Sequence, residues 1–526
     1  MVQFERSDEN VGGRVLQGAM FLAGARLIVR FISVINLAVL GRLLTETDYG
    51  IAALALVPIA LLQVFSDVRI TSALIALDDI DERHISTAFT IQVLRGIIIA
   101  AMLFFAADPI ADYFNAPALR DVCRWLSVVL IFDGLKNPAF FLYQRNVDFS
   151  KEFWRVTVAQ IVAGIFTVSA AFILESYWAI VIGMIASRSV ESVLTWWRVP
   201  IRPWFSLSEW RIFFSYGSWL TFAGMATQLQ ESAGSILFGR YLGTDPVGSY
   251  TMGKEVSDLA LAEITAPLRQ TLFPGFGAVK NDRERLIRSV KTAMGTLFGI
   301  SLPLGVGLAL FAPEALMVLV GEKWLDDAYI VQVLAPVGAL TMSIAVVDSL
   351  AMALQKLRGI FYRAVILAVI SWPLIYYAML EQGLLGGVLA VGVVRLIRVI
   401  FNMFFLRGMI GMSILTMLAT AFRPAVATSV MAAALFLLPR TYDPATLGSA
   451  LTLLWTLPYV ALGIIIYTIV TSVLWRMAGR PQDGLEANIL HYGGGLLQKL
   501  RANILLYGGG VLQTVRQKLR RKRQDD

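Results

Sequence analysis

Hydrophobic residues along this chain gather into about fourteen runs of roughly 17 to 25 residues, separated by short polar turns. They fall near 15–40, 50–76, 85–106, 120–143, 154–174, 177–197, 213–238, 249–273, 290–312, 328–354, 360–380, 384–406, 422–438 and 447–475. A helix of this length rises 1.5 Å per residue and crosses about 30 Å of hydrocarbon. The pattern therefore predicts an all-α, polytopic membrane protein of about 14 transmembrane helices. Glu175-Ser176 and Glu381-Gln382 are the whole connection before the sixth and twelfth runs, so those helices must turn back antiparallel to their predecessors.

The end of the first run recurs. Gly41-Arg42-Leu43-Leu44, a polar turn and Gly50 are matched in spacing by Gly239-Arg240-Tyr241-Leu242, a polar turn and Gly248. Each copy follows one apolar run and precedes another, as in a duplicated bundle whose site lies between its halves near mid-bilayer. The expected organisation is residues 1–14 as a polar N-terminus, 15–200 and 201–407 as two six-helix lobes, 408–475 as two further helices, and 476–526 as a basic tail. That tail repeats itself: Ala487–Arg501 reappears as Ala502–Arg516, and KLRRKRQDD follows.

Composition narrows the class. The chain has 526 residues, 57% of them hydrophobic and only 16% charged, far from the roughly 25% charged share of soluble domains. A single cysteine, Cys123, excludes an intramolecular disulfide and makes a cysteine metal cluster implausible. With only His84 and His491, and without HExxH or a phosphate-binding glycine loop, familiar hydrolytic and nucleotide-consuming sites are missing. No cofactor, metal or nucleic-acid partner is expected. The N-terminal MVQFERSDEN lacks the order of a signal peptide, so the first helix is expected to stay.

Basic residues set the orientation. With the N-terminus cytoplasmic, inner loops carry Arg145, Lys151, Arg155, Arg198, Arg202, Arg211, Lys280, Arg283, Arg285, Arg288, Lys291, Lys356, Arg358 and Arg363, whereas outer loops hold little beyond Arg42, Arg120, Arg240, Lys323 and Arg440. The excess places both termini in the cytoplasm. For the tail two readings stand, an interfacial segment whose Lys518 to Arg523 meet anionic lipid and a weakly ordered basic extension.

Charges at bilayer depth are costly and mark functional candidates. Arg26 and Arg30 stand one turn apart on the first helix with no acid within a turn. Both should face a wet cavity or an anion. The eighth segment carries Lys254, Glu255, Asp258, Glu263 and Arg269, and the seventh adds Gln228, Gln230 and Glu231, so both are expected to line the same cavity. Asp67 and Arg69, together with Asp133 and Lys136, are candidates for a gate or for coupling, although Asp133/Lys136 and Arg188/Glu191 can also be internal ion pairs. Arg395 and Arg398 lack an acid on their own helix and must pair across helices, snorkel, or meet substrate.

The stretches LGRLLTETDYGIAAL, VFSDVRITSALI, LFPGFGAVKNDRERL and SLPLGVGLALFAPEALMVLVGEKW follow one another over most of residues 12–475. In order and spacing they resemble the polysaccharide-transporter family, the Wzx-type lipid-linked oligosaccharide flippases of the larger group that includes the MATE drug exporters. The branch most resembled is that of lipopolysaccharide, colanic acid and succinoglycan exporters. The resemblance implies two lobes in a V, a central cationic cavity, and alternating access that carries an undecaprenyl-diphosphate-linked repeat unit across the bacterial inner membrane. It also implies that Arg26 and Arg30 meet the diphosphate. The polar groups of the seventh and eighth segments, Gln228, Glu231, Lys254, Glu255, Asp258 and Glu263, are then expected to offer hydrogen bonds to the sugars, and polysaccharide polymerase and glycosyltransferases are the expected partners. The chain lacks the leucine-glycine-phenylalanine opening and arginine-aspartate pair of the peptidoglycan-precursor flippases. It also lacks the first-helix acid that drug exporters use for ion coupling. A proton or sodium coupling stays open. Two rivals remain: a MATE-like drug or organic-ion antiporter, and a non-transporting scaffold that acts through its tail.

Overall fold

The computed structural model describes residues 11–66, 81–145, 149–197, 199, 201–210, 218–439 and 442–480, with side chains described except at 11–23, 25, 65–66, 144–145, 149, 218–220, 260 and 262–270. Helices stand wherever the hydrophobic runs predict them. In chain order they are α1 (Val11–Leu43), α2 (Glu46–Ser66), α3 (Glu82–Tyr113), α4 (Ala118–Gly134), α5 (Phe149–Leu174), α6 (Trp178–Trp196), α7 (Ser218–Tyr241), α8 (Thr244–Val279) and α9 (Arg283–Leu310). The tenth, α10, comprises Ala328–Thr341 and its continuation Ser343–Ala353. The run Leu357–Ile410 bends back at Gln382 and Gly383, whose dihedrals are not helical. It is therefore two helices, α11 (357–381) and α12 (384–410). Helices α13 (Ile414–Leu437) and α14 (Pro444–Met477) close the described chain.

Among the described residues, nine helical runs are long and apolar enough to cross a membrane, and one of them, Leu357–Ile410, holds both α11 and α12. The chain is a multi-pass membrane protein. Four of the fourteen expected segments, α1, α4, α7 and α8, fall outside those nine; α4 has 17 residues, and α8 carries Lys254, Glu255 and Asp258 within two turns. The tail repeat, Asp67 and Arg69 lie outside the described residues.

The two halves are built alike. In the first, α3 packs on α4, α5 on α6, and α1 runs along α5; in the second, α9 packs on α10 and α7 on the α11–α12 hairpin. Helix α2 crosses to lie against α7 and α8 of the second half. A membrane offers no hydrophobic gain for helix association, so close approach and polar contacts must hold such a bundle together.

That closeness is greatest where the repeated motif ends. A Cβ on Gly50 would lie 1.9 Å from the carbonyl oxygen of Thr244, and a Cβ on Gly248 would lie 1.9 Å from the carbonyl oxygen of Glu46. Positions 46 and 244 correspond in the two motif copies, as do Gly50 and Gly248, so the contact is reciprocal across a pseudo-two-fold axis. On that axis Thr47 Oγ1 donates to Asp245 Oδ1 at 2.7 Å. The first turn of α2 is fixed by a capping box, with Thr45 and Asp48 exchanging hydrogen bonds (Asp48 N to Thr45 Oγ1 3.2 Å, Thr45 N to Asp48 Oδ2 3.0 Å). Helix α8 starts from Gly243, whose φ of 97° is a conformation glycine tolerates and bulkier residues resist.

The motif arginines complete this seal at the far end of the bundle, where α1 ends. Arg42 donates to the carbonyls of Val318 (2.7 Å) and Leu319 (2.9 Å) at the end of the short helix Ala312–Leu319. Arg240 donates to the carbonyl of Tyr113 (2.6 Å) at the end of α3 and stacks on the Tyr113 ring. Each arginine thus caps a helix C-terminus of the opposite half, where unpaired carbonyls and the helix dipole favour a cation. Trp324 Nε1 adds a bond to the carbonyl of Gly41 at 2.8 Å.

Candidate functional site

Midway between the ends of the bundle, polar side chains of α1, α7, α8 and α12 converge. Arg30 is half-buried and its Nη2 donates to the carbonyl of Leu259 on α8. Arg26, one turn nearer the chain start, is also half-buried and has no hydrogen-bond or ion-pair partner among the described residues. Arg30 thus reaches across to the second half. The side chain of Glu263, one turn beyond Leu259, lies outside the described residues.

Lys254 and Asp258 pair at 3.0 Å, the expected bond at one turn's spacing. Asp258 also faces Arg395 of α12 at 3.6 Å, and Arg395 Nη1 donates to the carbonyl of Leu334 at 3.3 Å. Arg398 donates to Glu231 of α7 at 2.8 Å and to the side-chain oxygen of Gln230. Gln230, Glu231, Lys254, Arg395 and Arg398, with Tyr250, line a small cavity between α7, α8 and α12. Gln228 turns along its own helix to Ser232 Oγ at 3.1 Å, and Glu255 is exposed. Five cations, Arg26, Arg30, Lys254, Arg395 and Arg398, stand against three described carboxylates, Glu231, Glu255 and Asp258; Glu263 would be a fourth. The second-half cations have carboxylate partners.

Arg395 and Arg398 belong to this site, and sequence reasoning did not place them in it. Their partners lie 167 positions away for Glu231 and on a different helix for Asp258, so no local spacing reveals the match. The available signal was a shortage: two arginines without acids on α12 and an acid, Glu231, without a base on α7.

Asp133 and Lys136 lie elsewhere, in a charge-balanced network inside the first half. Lys136 bridges Asp133 and Glu191, each at 2.7 Å; Arg188 binds Glu191 at 3.1 Å; Arg155 reaches Glu191 at 3.3 Å and Glu152 at 2.5 Å. The network ties α4, α5 and α6 together. The second half has its counterpart in Arg363, near the start of α11 as Arg155 is near the start of α5. Arg363 holds Asp348 of α10 and, at 2.6 Å, Asn402 of α12. Both arginines also stack on a phenylalanine, Arg155 on Phe140 and Arg363 on Phe405, each at 5.4 Å. Each clamp ties together the helices of its own half. Removing one member of a buried cluster leaves its partners uncompensated, so Glu191→Ala should cost about 3 kcal/mol. Thermal unfolding of the purified protein measures it; an unchanged melting temperature would show that the cluster does not hold the half together.

Residues 39–329, more than half of the chain, match the family described as polysaccharide biosynthesis protein. The chain belongs to that family. Among polysaccharide biosynthesis proteins, the teichuronic acid biosynthesis protein TuaB of Bacillus subtilis is 23% identical over 62% of this chain and 68% of its own length. The lipopolysaccharide biosynthesis protein WzxC of Escherichia coli is 24% identical, covering 74% and 80%. The succinoglycan biosynthesis transport protein ExoT of Rhizobium meliloti is 22% identical, covering 84% and 89%. In fold, the lipid II flippase MurJ in its inward closed conformation superposes with a TM-score of 0.71 at 15% identity, over 88% of this chain and all of that one. The family resemblance carried by the motif series therefore holds, and the polytopic helical fold with it.

Proposed function

We propose that this protein is a flippase, not an enzyme, which moves diphosphate-linked oligosaccharide repeat units on a polyprenyl anchor across the bacterial inner membrane for polysaccharide assembly. The observation that carries this reading is the pair Arg26 and Arg30, one turn apart on α1 of a membrane bundle, with Arg30 reaching the Leu259 carbonyl of α8. A charged, hydroxyl-rich headgroup cannot cross hydrocarbon unaided; a polar path removes most of that desolvation cost. Guanidinium suits the task because its fork of donors engages two phosphate oxygens at once. The relatives named for lipopolysaccharide, teichuronic acid and succinoglycan biosynthesis support the polysaccharide side of the reading.

The same reading orients the chain with both termini in the cytoplasm, so the reciprocal glycine contact and the Arg42 and Arg240 caps form an outer seal. In this state the arginines are offered to the inner leaflet. Rocking of the two clamped halves then opens the outer side and releases the load. Polymerase and glycosyltransferases would act before and after it.

Deleting the gene tests the function. Surface polysaccharide should disappear, lipid-linked repeat units should accumulate on the cytoplasmic face, and the wild-type gene should reverse both. A deletion strain with normal polysaccharide but raised sensitivity to cationic drugs would point instead to a drug antiporter.

A further inference from the structure

On the outer flank of the first half, away from the polar path, a cavity of about 390 Å³ opens between α5, α6 and the segment that follows α4. That volume lies within the range of roughly 300–1,000 Å³ typical of small-molecule sites. Its α5 wall is a single stripe, Lys151, Trp154, Arg155 and Val158, and its α6 wall is Leu194 and Trp197. The chemistry changes along this stripe. Lys151 lies in the first turn of α5, Trp154 one turn further, and Val158 another turn on, roughly 10 Å from the lysine.

The two cations differ in what they can still bind. Arg155 is held by Glu152 and Glu191 and stacked on Phe140, so it is a fixed part of the wall. Lys151 is half-buried and has no hydrogen-bond or ion-pair partner among the described residues. The indoles of Trp154 and Trp197 are 61% and 66% exposed, flanking the cavity where amphipathic rings favour the headgroup level of a bilayer.

We propose that this cavity binds an anionic phospholipid, with its phosphate on Lys151, its glycerol region between Trp154 and Trp197, and an acyl chain along Val158 and Leu194. The vertical order of cation, indole and aliphatic side chain matches the order of phosphate, ester and hydrocarbon in a lipid. A concave wall with an unengaged ammonium at the headgroup level selects an anionic lipid over a zwitterionic one, since the ammonium attracts net negative charge and a zwitterionic headgroup brings its own cation. Which leaflet supplies the lipid follows from the orientation proposed above; the site itself does not depend on that reading or on the transported substrate. Because the α5 wall shares Arg155 with the clamp around Glu191, an occupied cavity braces the half that must move as one body.

The test uses the full-length protein in phosphatidylcholine nanodiscs containing a minor share of phosphatidylglycerol, with retained lipids counted by native mass spectrometry. The wild type should keep a phosphatidylglycerol, Lys151→Glu should lower its occupancy about tenfold, and Lys151→Arg should keep it. Trp154→Ala should weaken retention of both lipids. Lys151→Gln, which preserves size, decides the matter should charge reversal disturb folding: loss of phosphatidylglycerol upholds the site. Equal retention of the two lipids by the wild type, or undiminished phosphatidylglycerol in both Lys151→Glu and Lys151→Gln, would overturn it.

Discussion

Replacing Arg26 and Arg30 together by alanine should reduce export of surface polysaccharide by about a hundredfold or more while the protein still reaches the membrane and melts where the wild type does. Each arginine makes charge-assisted bonds worth roughly 1.5–3 kcal/mol to an anionic partner, and two of them lost together correspond to about 10² to 10⁴ in binding. Stability should be largely spared because Arg26 has no described partner to abandon. Lysine at both positions should restore part of the activity, since it keeps the charge and loses the planar fork. Export is read by rescue of a deletion strain. Full rescue by the alanine pair would remove these arginines from the mechanism.

Joining Thr47→Cys to Asp245→Cys should arrest transport, and reductant should release it. The two side chains meet at 2.7 Å on the pseudo-two-fold axis, and the helix starts beneath them are in contact through Gly50 and Gly248. A covalent link there holds this end of the bundle shut, so a mechanism that must open it stops. Cys123, the chain's one native thiol, is fully buried and will not compete for the reagent. Transport that continues in the fully linked protein would show that the halves do not part at this end.

Much of this architecture was readable in advance because the bilayer imposes simple rules. Apolar runs of sufficient length located every described long helix, and the two-residue connection at Glu381-Gln382 marked the place where Leu357–Ile410 folds back on itself. The recurrence of Gly41–Gly50 at Gly239–Gly248 announced the duplication. Its physical meaning was hidden, because which backbone a glycine meets depends on the partner half. The same limit applied to the charges. Spacing within one helix predicted the bonds Lys254–Asp258, Asp133–Lys136 and Arg188–Glu191, yet it could not show Lys136 and Arg155 reaching the same Glu191. Nor could it show Arg398 reaching Glu231, since pairing across helices is settled only by the fold.

The account rests on a diphosphate being held by the α1 arginines, and translocation in vesicles tests this most directly. Purified protein in proteoliposomes would be offered one oligosaccharide on two anchors, a polyprenyl diphosphate and a polyprenyl monophosphate. The wild type should move the diphosphate form preferentially, and the preference should vanish in the Arg26→Ala, Arg30→Ala protein. Equal movement of both anchors by the wild type, or a preference that survives the double replacement, would contradict it.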